Sequence, residues 1–263
     1  MHRPIGVYDS GMGGLIVLET LIEKFPHEDF LFIADGAHFP YGIKTKEEIE
    51  TYNVELANYL VKQNVKAICI ACNTATSHSS TLDSTIQVPL IKAVAPNVKG
   101  VAKYQDLNKN NILILATMLT TKSKIYEKEL DKWFKDVPHQ YYSVPTQEFV
   151  GLVEEGNVGT KTSLEKVRDI LTPYLDKDID KIVLGCTHFP KLIPEIKTLF
   201  PKALIFDSGQ GMAEELKNKL NAFETAKLGT ITLYTTGDIE TFKKHIGWFK
   251  YLQRSTIKHL EIN

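Results

Sequence analysis

Two cysteines stand where a side chain could do chemistry. In Lys66-Ala-Ile-Cys-Ile-Ala-Cys72-Asn-Thr an apolar run delivers Cys72, then two hydrogen-bonding side chains, Asn73 and Thr74. Lys181-Ile-Val-Leu-Gly-Cys186-Thr-His repeats the plan, with Thr187 and His188 after the thiol. A lone cysteine is most often a small buried hydrophobe. The same arrangement twice, each at the polar end of an apolar run, points instead to thiols aimed at a ligand. The thiolate is the reactive base, and an unperturbed cysteine has a pKa of about 8.5. His188 or a following helix N-terminus can shift that balance, and His188 can orient the cysteine or share in its proton transfer; a satisfied core histidine is the alternative.

A third candidate, Asp9, closes the first apolar run in Val7-Tyr8-Asp9-Ser10-Gly11-Met12-Gly13-Gly14. The dinucleotide fingerprint fails here, because Ile16 occupies its third glycine position. A phosphate-binding P-loop fails too, since no Gly-Lys-Ser/Thr follows. The glycines suit a tight turn whose N–H groups bind a small anion at a helix start. Asp9 then accepts from a substrate ammonium, assists the cysteine chemistry, or caps the helix. Asp207-Ser208-Gly209 echoes the motif late in the chain.

Cys69 and Cys72 form a Cys-x-x-Cys, but a redox pair needs its first thiol at a helix start. Here Cys69 lies inside a strand-like run, where three residues of spacing point side chains to opposite faces. Cys72, Cys186 and His188 lack the compact spacing of a zinc site. The residues call for no metal and no cofactor.

Short apolar runs must position these groups. Ile5–Tyr8, Phe30–Ala34, Ala67–Ala71, Ile112–Ala116, Lys181–Leu184, Ala203–Phe206 and Ile231–Thr235 read as strands. Helical spacing marks Leu15–Phe25, Glu47–Gln63, Ser123–Phe134, Leu164–Leu175 and Met212–Leu220. Thr45 with Glu48, and Thr162 with Glu165, read as capping boxes. Alternating strands and helices predict an α/β protein with mostly parallel sheets, binding ligands beyond the carboxyl ends of the strands. The paired motifs suggest two similar α/β halves facing each other across a cleft. The expected division is 1–97 plus 208–263 for the first and 98–207 for the second.

At 263 residues, 43% hydrophobic and 24% charged, the chain has the composition of a soluble globular protein. A formal net charge of −1 provides no field toward nucleic acid or anionic membrane. No apolar run approaches the roughly 18 residues of a membrane span. The first residues, Met1-His2-Arg3-Pro4, lack the pattern of a signal peptide. A cytoplasmic location is expected, and three cysteines argue against a disulfide framework.

Taken together, the motifs resemble the glutamate racemases of bacterial cell-wall synthesis along nearly the whole chain. The matching segments are Ile5–Gly14, Pro40-Tyr41-Gly42, Ala71–Ala75, Gly151–Gly156 and Gly185–Pro190. The two cysteine motifs with the Asp-Ser-Gly start mark the wider aspartate/glutamate racemase superfamily, and Pro-Tyr-Gly narrows it. The resemblance implies two α/β domains related by a pseudo-twofold, with the active site between them. It implies Cys72 and Cys186 as catalytic residues, assisted by Asp9, Glu154 and His188. Glutamate would be held by Asp9, Ser10, Tyr41, Gly42, Asn73, Thr74, Thr117, Thr187 and His188. A homodimer is also implied. Ala34-Asp35 stands where the family commonly has Gly-Asp, His38 where Arg is frequent, and Asn97 and Ala116 where glycine is common.

Racemisation removes a proton from one face of Cα and returns one to the other. Two acid/base groups on opposite faces do this economically, one beginning as thiolate and the other as thiol. An aspartate or hydantoin racemase and a non-catalytic amino-acid-binding protein are the competing readings. A cysteine hydrolase lacks the Cys–His–Asn/Asp order.

Overall fold

A computed structural model describes residues 3–220 and 227–262. Its strands are β1 (Ile5–Asp9), β2 (Phe30–Ala34), β3 (Ala67–Ile70), β4 (Leu90–Lys92), β5 (Asn111–Ala116), β6 (Gln140–Pro145), β7 (Lys181–Gly185), β8 (Leu204–Phe206), β9 (Ile231–Thr235) and β10 (Thr256–His259). The helices are α1 (Gly14–Lys24), α2 (Lys46–Lys62), α3 (Asn73–Ser77), α4 (Leu82–Thr85), α5 (Val94–Ala102), α6 (Met118–Ser123), α7 (Ile125–Phe134), α8 (Glu148–Glu154), α9 (Lys161–Leu171), α10 (Ile193–Leu199), α11 (Ser208–Lys219) and α12 (Ile239–Ile246).

Two parallel sheets result, ordered β10-β9-β2-β1-β3-β4 and β6-β5-β7-β8. The central strands are buried on both faces, as parallel sheets require. Along β1, Ile5 and Val7 enter one core with α1 and α11, while Tyr8 enters the opposite core with Leu56 and Leu60 of α2. Along β5, Leu113 and Leu115 face α8 and α9, whereas Ile112 and Ile114 face α5 and α7. Each sheet thus has its own pair of apolar layers. The α/β class with mostly parallel sheets is the observed one.

Three strands escaped the sequence reading, β4, β6 and β10, and all three are sheet edges. Each of these three carries polar residues within it, whereas the fourth edge strand, β8, is the apolar Leu204-Ile-Phe206 and was read as a strand. Gln140-Tyr-Tyr-Ser-Val-Pro145 shows this, with a proline that only an edge tolerates.

Helix limits moved for local reasons. The Thr45–Glu48 capping box is present, with Glu48 N 3.2 Å from Thr45 Oγ1 and Thr45 N 2.7 Å from Glu48 Oε2. The Thr162–Glu165 box is not. Thr160 caps α9 instead, exchanging hydrogen bonds with Ser163 at 3.0 Å each, and Glu165 pairs with Lys161 on the surface. Pro173 ends regular helix near residue 171, and a 3-10 turn, Thr172–Tyr174, follows. The helix expected over Ser123–Phe134 is α7 and starts at Ile125, because Lys124, with a φ of 54°, separates it from α6.

Candidate active site

Strand register delivers the reactive groups. Ile70 pairs with Tyr8, so the chain beyond β3 brings Cys72 level with Ser10. In the second sheet Ala116 pairs with both Gly185 and Pro145, so Thr117, Thr146 and Cys186 leave their strands side by side. All these residues lie past the carboxyl ends of parallel strands, where ligands bind in such sheets. The two ends face each other.

The cleft between them is nearly closed. Cys72 and Cys186 both line it, with Ser10, Tyr41, Gly42, Asn73, Thr74, Thr117, Thr187 and His188. Asp9 lies behind this wall, fully buried. Both thiols are free, and both are more than nine-tenths buried.

Cys72 is the N-cap of α3, accepting from Ala75 N at 3.4 Å and lying 3.7 Å from Ser10 Oγ. Burial, then the nearby Asp9 carboxyl, pushes its pKa up to about 12. Asp9 accepts from Gly11 N at 3.0 Å, from Ser10 Oγ at 3.4 Å and, across the cleft, from Thr187 Oγ1 at 3.2 Å. Burial raises the Asp9 pKa, opposed by His188 and these three donors.

Cys186 Sγ stands 3.7 Å from His188 Nδ1, and His188 Nε2 lies 2.6 Å from Glu154 Oε1 at the end of α8. Burial alone would disfavour the imidazolium. The hydrogen bonds to Cys186 and Glu154 outweigh it and lift His188 to about 10. The second Glu154 oxygen faces His245 of α12 at 3.9 Å.

Other contacts stitch the two ends together. Thr74 Oγ1 is 2.9 Å from Thr117 Oγ1 and 3.0 Å from Thr120 Oγ1, and the latter two are 2.9 Å apart. Tyr126 donates to Asn73 Oδ1 at 2.6 Å. Gly13 approaches closely: a Cβ there would stand 2.4 Å from His188 Nδ1 and 2.5 Å from Thr187 Oγ1. The glycine turn therefore admits the opposing histidine, beside whatever its N–H groups bind. Tyr41 donates to Asp35 at 2.5 Å, and Asp35 also accepts from Thr236 at 2.7 Å and contacts His38 at 2.9 Å. The His38 departure is accommodated there, stacked on Tyr52 at 3.9 Å. Asn97 donates to Tyr126 at 3.2 Å, and Ala116 is buried in β5.

The model of the Asp/Glu/hydantoin racemase family matches residues 16–216. A glutamate racemase from Sulfurihydrogenibium is 38% identical over 244 residues, 92% of this chain and 91% of the relative. The chain belongs to the glutamate racemase family. Among solved structures of that family, one from Bacillus anthracis superposes with a TM-score of 0.90 at 28% identity, covering 99% of this chain and 98% of the other. Another, from Francisella tularensis in complex with D-glutamate, gives 0.86 at 30% identity, covering 100% and 97%. Membership makes the chain a racemase, an isomerase by reaction class.

The structure brings the sequence-selected residues to one place, and Cys69 to another. Cys69 faces the core containing Val7 and Met212, while Cys72 faces the core containing Tyr8 and Ala75. Burial pushes the Cys69 pKa up to about 12. Among the described residues no group of three His, Cys, Asp or Glu side chains could hold a metal, and no helix is long and apolar enough to cross a membrane. Sequence reasoning missed Thr120, Phe39, Gln147 and Val150. Thr120 alone had a signal: it follows Thr117 by three residues, the spacing of a helix cap and its partner.

Proposed function

We propose that this protein interconverts L- and D-glutamate by two-thiol proton transfer at Cα, without a cofactor. The observation that carries the reading is one cleft lined by two buried thiols from opposing sheets, each with different acid/base company. The solved relative bound to D-glutamate supports the substrate.

A thiolate beside His188 has an imidazolium as counter-ion, braced by Glu154. Cys72, whose ionisation burial and Asp9 oppose, waits as the thiol. The thiolate takes the α-proton from one enantiomer while Cys72 returns a proton to the opposite face. For the other enantiomer the roles exchange. Deprotonation at Cα builds negative charge on the α-carboxylate. Asn73 meets that carboxylate with its unpartnered Nδ2, and Thr74, Thr117 and Thr187 do so as their hydroxyls turn from their present partners to the substrate, in a water-poor cleft where such donors act most strongly. Asp9 and His188 hold the ammonium side and the acid/base balance; Ser10, Tyr41 and Gly42 complete the binding surface.

The same reading assigns the protein to the cytoplasm, as a homodimer supplying D-glutamate for peptidoglycan. Its domains are 1–97 with 208–263, and 98–207. The cleft opens to admit substrate, so small-angle scattering and hydrogen exchange change with saturating glutamate; unchanged profiles refute closure. The deciding experiment incubates L-glutamate, D-glutamate and L-aspartate in deuterated water, following optical rotation and deuterium at Cα. Rotation loss and exchange with both glutamates are expected. Turnover of aspartate alone refutes the substrate, and no exchange refutes the activity.

A further inference from the structure

The cleft is short of hydrogen-bond donors for a ligand with two carboxylates. Among the described residues no lysine or arginine lines it. Two carboxylates together offer about eight acceptor positions. The hydroxyls of Thr74, Thr117 and Thr120 satisfy one another in a closed triangle. Asn73 uses its oxygen on Tyr126 and Ser208, leaving Nδ2 buried with no partner.

One other cleft amide has an unsatisfied end. Gln147 immediately precedes α8, following the β6 edge whose register sets Thr146 beside Thr117. Its Oε1 is buried and has no hydrogen-bond partner. It lies against the Pro-Tyr-Gly loop so closely that a Cβ at Gly42 would come within 2.1 Å of it. The two ends of an amide have the same shape, so half a turn about the last torsion presents N–H in its place. A buried amide end without a partner costs free energy until a ligand supplies one. A carboxylate, acceptor-only, completes it in the N–H orientation.

We infer that Gln147 is a specificity-determining residue that donates to the side-chain carboxylate of the substrate. Asn73, Thr74, Thr187 and His188 adjoin the two thiols in sequence and must stay near Cα. Gln147 and Gly42 come from segments carrying neither thiol and meet each other beside Thr117, on the cleft wall formed by the Pro-Tyr-Gly loop, which we take as the side-chain end. The inference rests on the glutamate reading above.

The test compares Gln147→Met, which keeps length but cannot hydrogen-bond, with Gln147→Glu, which places an anion against the carboxylate. Thermal unfolding establishes that both variants are folded. The methionine variant is expected to raise KM for L- and D-glutamate tenfold or more, with kcat within about threefold, the usual size of losing a hydrogen bond to a charged group. The glutamate variant loses more, and its ratio of glutamate to glutamine exchange at Cα in deuterated water falls below that of the unaltered protein. KM within twofold in both variants overturns the inference, as does a fall in kcat at constant KM. Inactivity of the unaltered protein toward glutamate would instead sink the substrate assignment.

Discussion

His188 is held by Glu154 through one ring nitrogen and faces Cys186 through the other, at 2.6 and 3.7 Å. The imidazole is thereby a coupling between an anion at the cleft wall and a thiol at its centre. Folding raises its pKa from 6.5 to about 10. A raised pKa stabilises the fold fully below the unfolded value, and the contribution is lost as pH climbs through the folded one.

Glu154→Gln removes the anion and lowers the His188 pKa. Kinetics should show kcat reduced by roughly tenfold to hundredfold, the range for a general acid/base partner. Urea unfolding should show the variant less stable by about 1–3 kcal/mol at pH 6. The gap should close as pH rises from about 6.5 toward about 10, where His188 deprotonates in the unaltered protein. A constant gap across that window would refute the coupling.

Cys72→Ser and Cys186→Ser should each lose most racemisation. The products are mirror images, so the equilibrium constant is one and kcat/KM must fall equally from either hand. The asymmetry belongs in kcat and KM separately, and in deuterium exchange without inversion, which one variant shows from L-glutamate and the other from D-glutamate. Near-native, equal activity in both variants would remove the thiols from the mechanism.

Cys72, pushed up to about 12 by burial and Asp9, is thiolate in roughly one molecule in ten thousand at pH 8. Alkylation of this site, followed by peptide mass, should be far slower than that of a free thiol. Asp9→Asn withdraws a neighbouring negative charge and should accelerate the labelling several-fold while depressing turnover. Slower labelling in that variant would contradict the stated electrostatics.

Gly13→Ala isolates the close approach. Its φ of −56° and ψ of −34° suit any residue, so a methyl group is opposed only by His188 and Thr187. Overpacking of this kind costs about 1–3 kcal/mol. Activity should drop a hundredfold or more with a lowered Tm. Gly151→Ala, which meets nothing within 4 Å, serves as the control and should raise stability by roughly 0.5–1 kcal/mol.

Thr160→Ala should cost α9 about 1 kcal/mol in urea unfolding with unchanged kcat. Thr162→Ala should be neutral within about 0.5 kcal/mol. The reverse ranking would restore the cap that the sequence suggested.

Fold class and thiol positions were legible because central parallel strands and their polar exits are written locally. Lys181–Gly185 is an apolar run with Cys186 next, and both facts survive any packing. Edge strands β4, β6 and β10 were not legible, since their pairing is decided by what the neighbouring strand leaves open. Thr160 was overlooked because a Thr–Ser reciprocal cap resembles ordinary loop sequence, whereas Thr162 and Glu165 matched the commoner pattern. Gln147 carries no motif. It joins the cleft only because β6 runs beside β5, a relation between residues about 30 apart.

The first sheet interrupts itself: β1 to β4 precede all strands of the second sheet, and β9 and β10 follow them. On the ribosome, β2 therefore waits without its outer neighbour while β5 to β8 are made and can already pair. The Phe30–Ala34 edge then needs shelter from stray strands, because unpaired edges invite aggregation. Catalytic competence arrives last, when Ile231–Thr235 takes its place beside β2 and braces the loop carrying Asp35 and Tyr41.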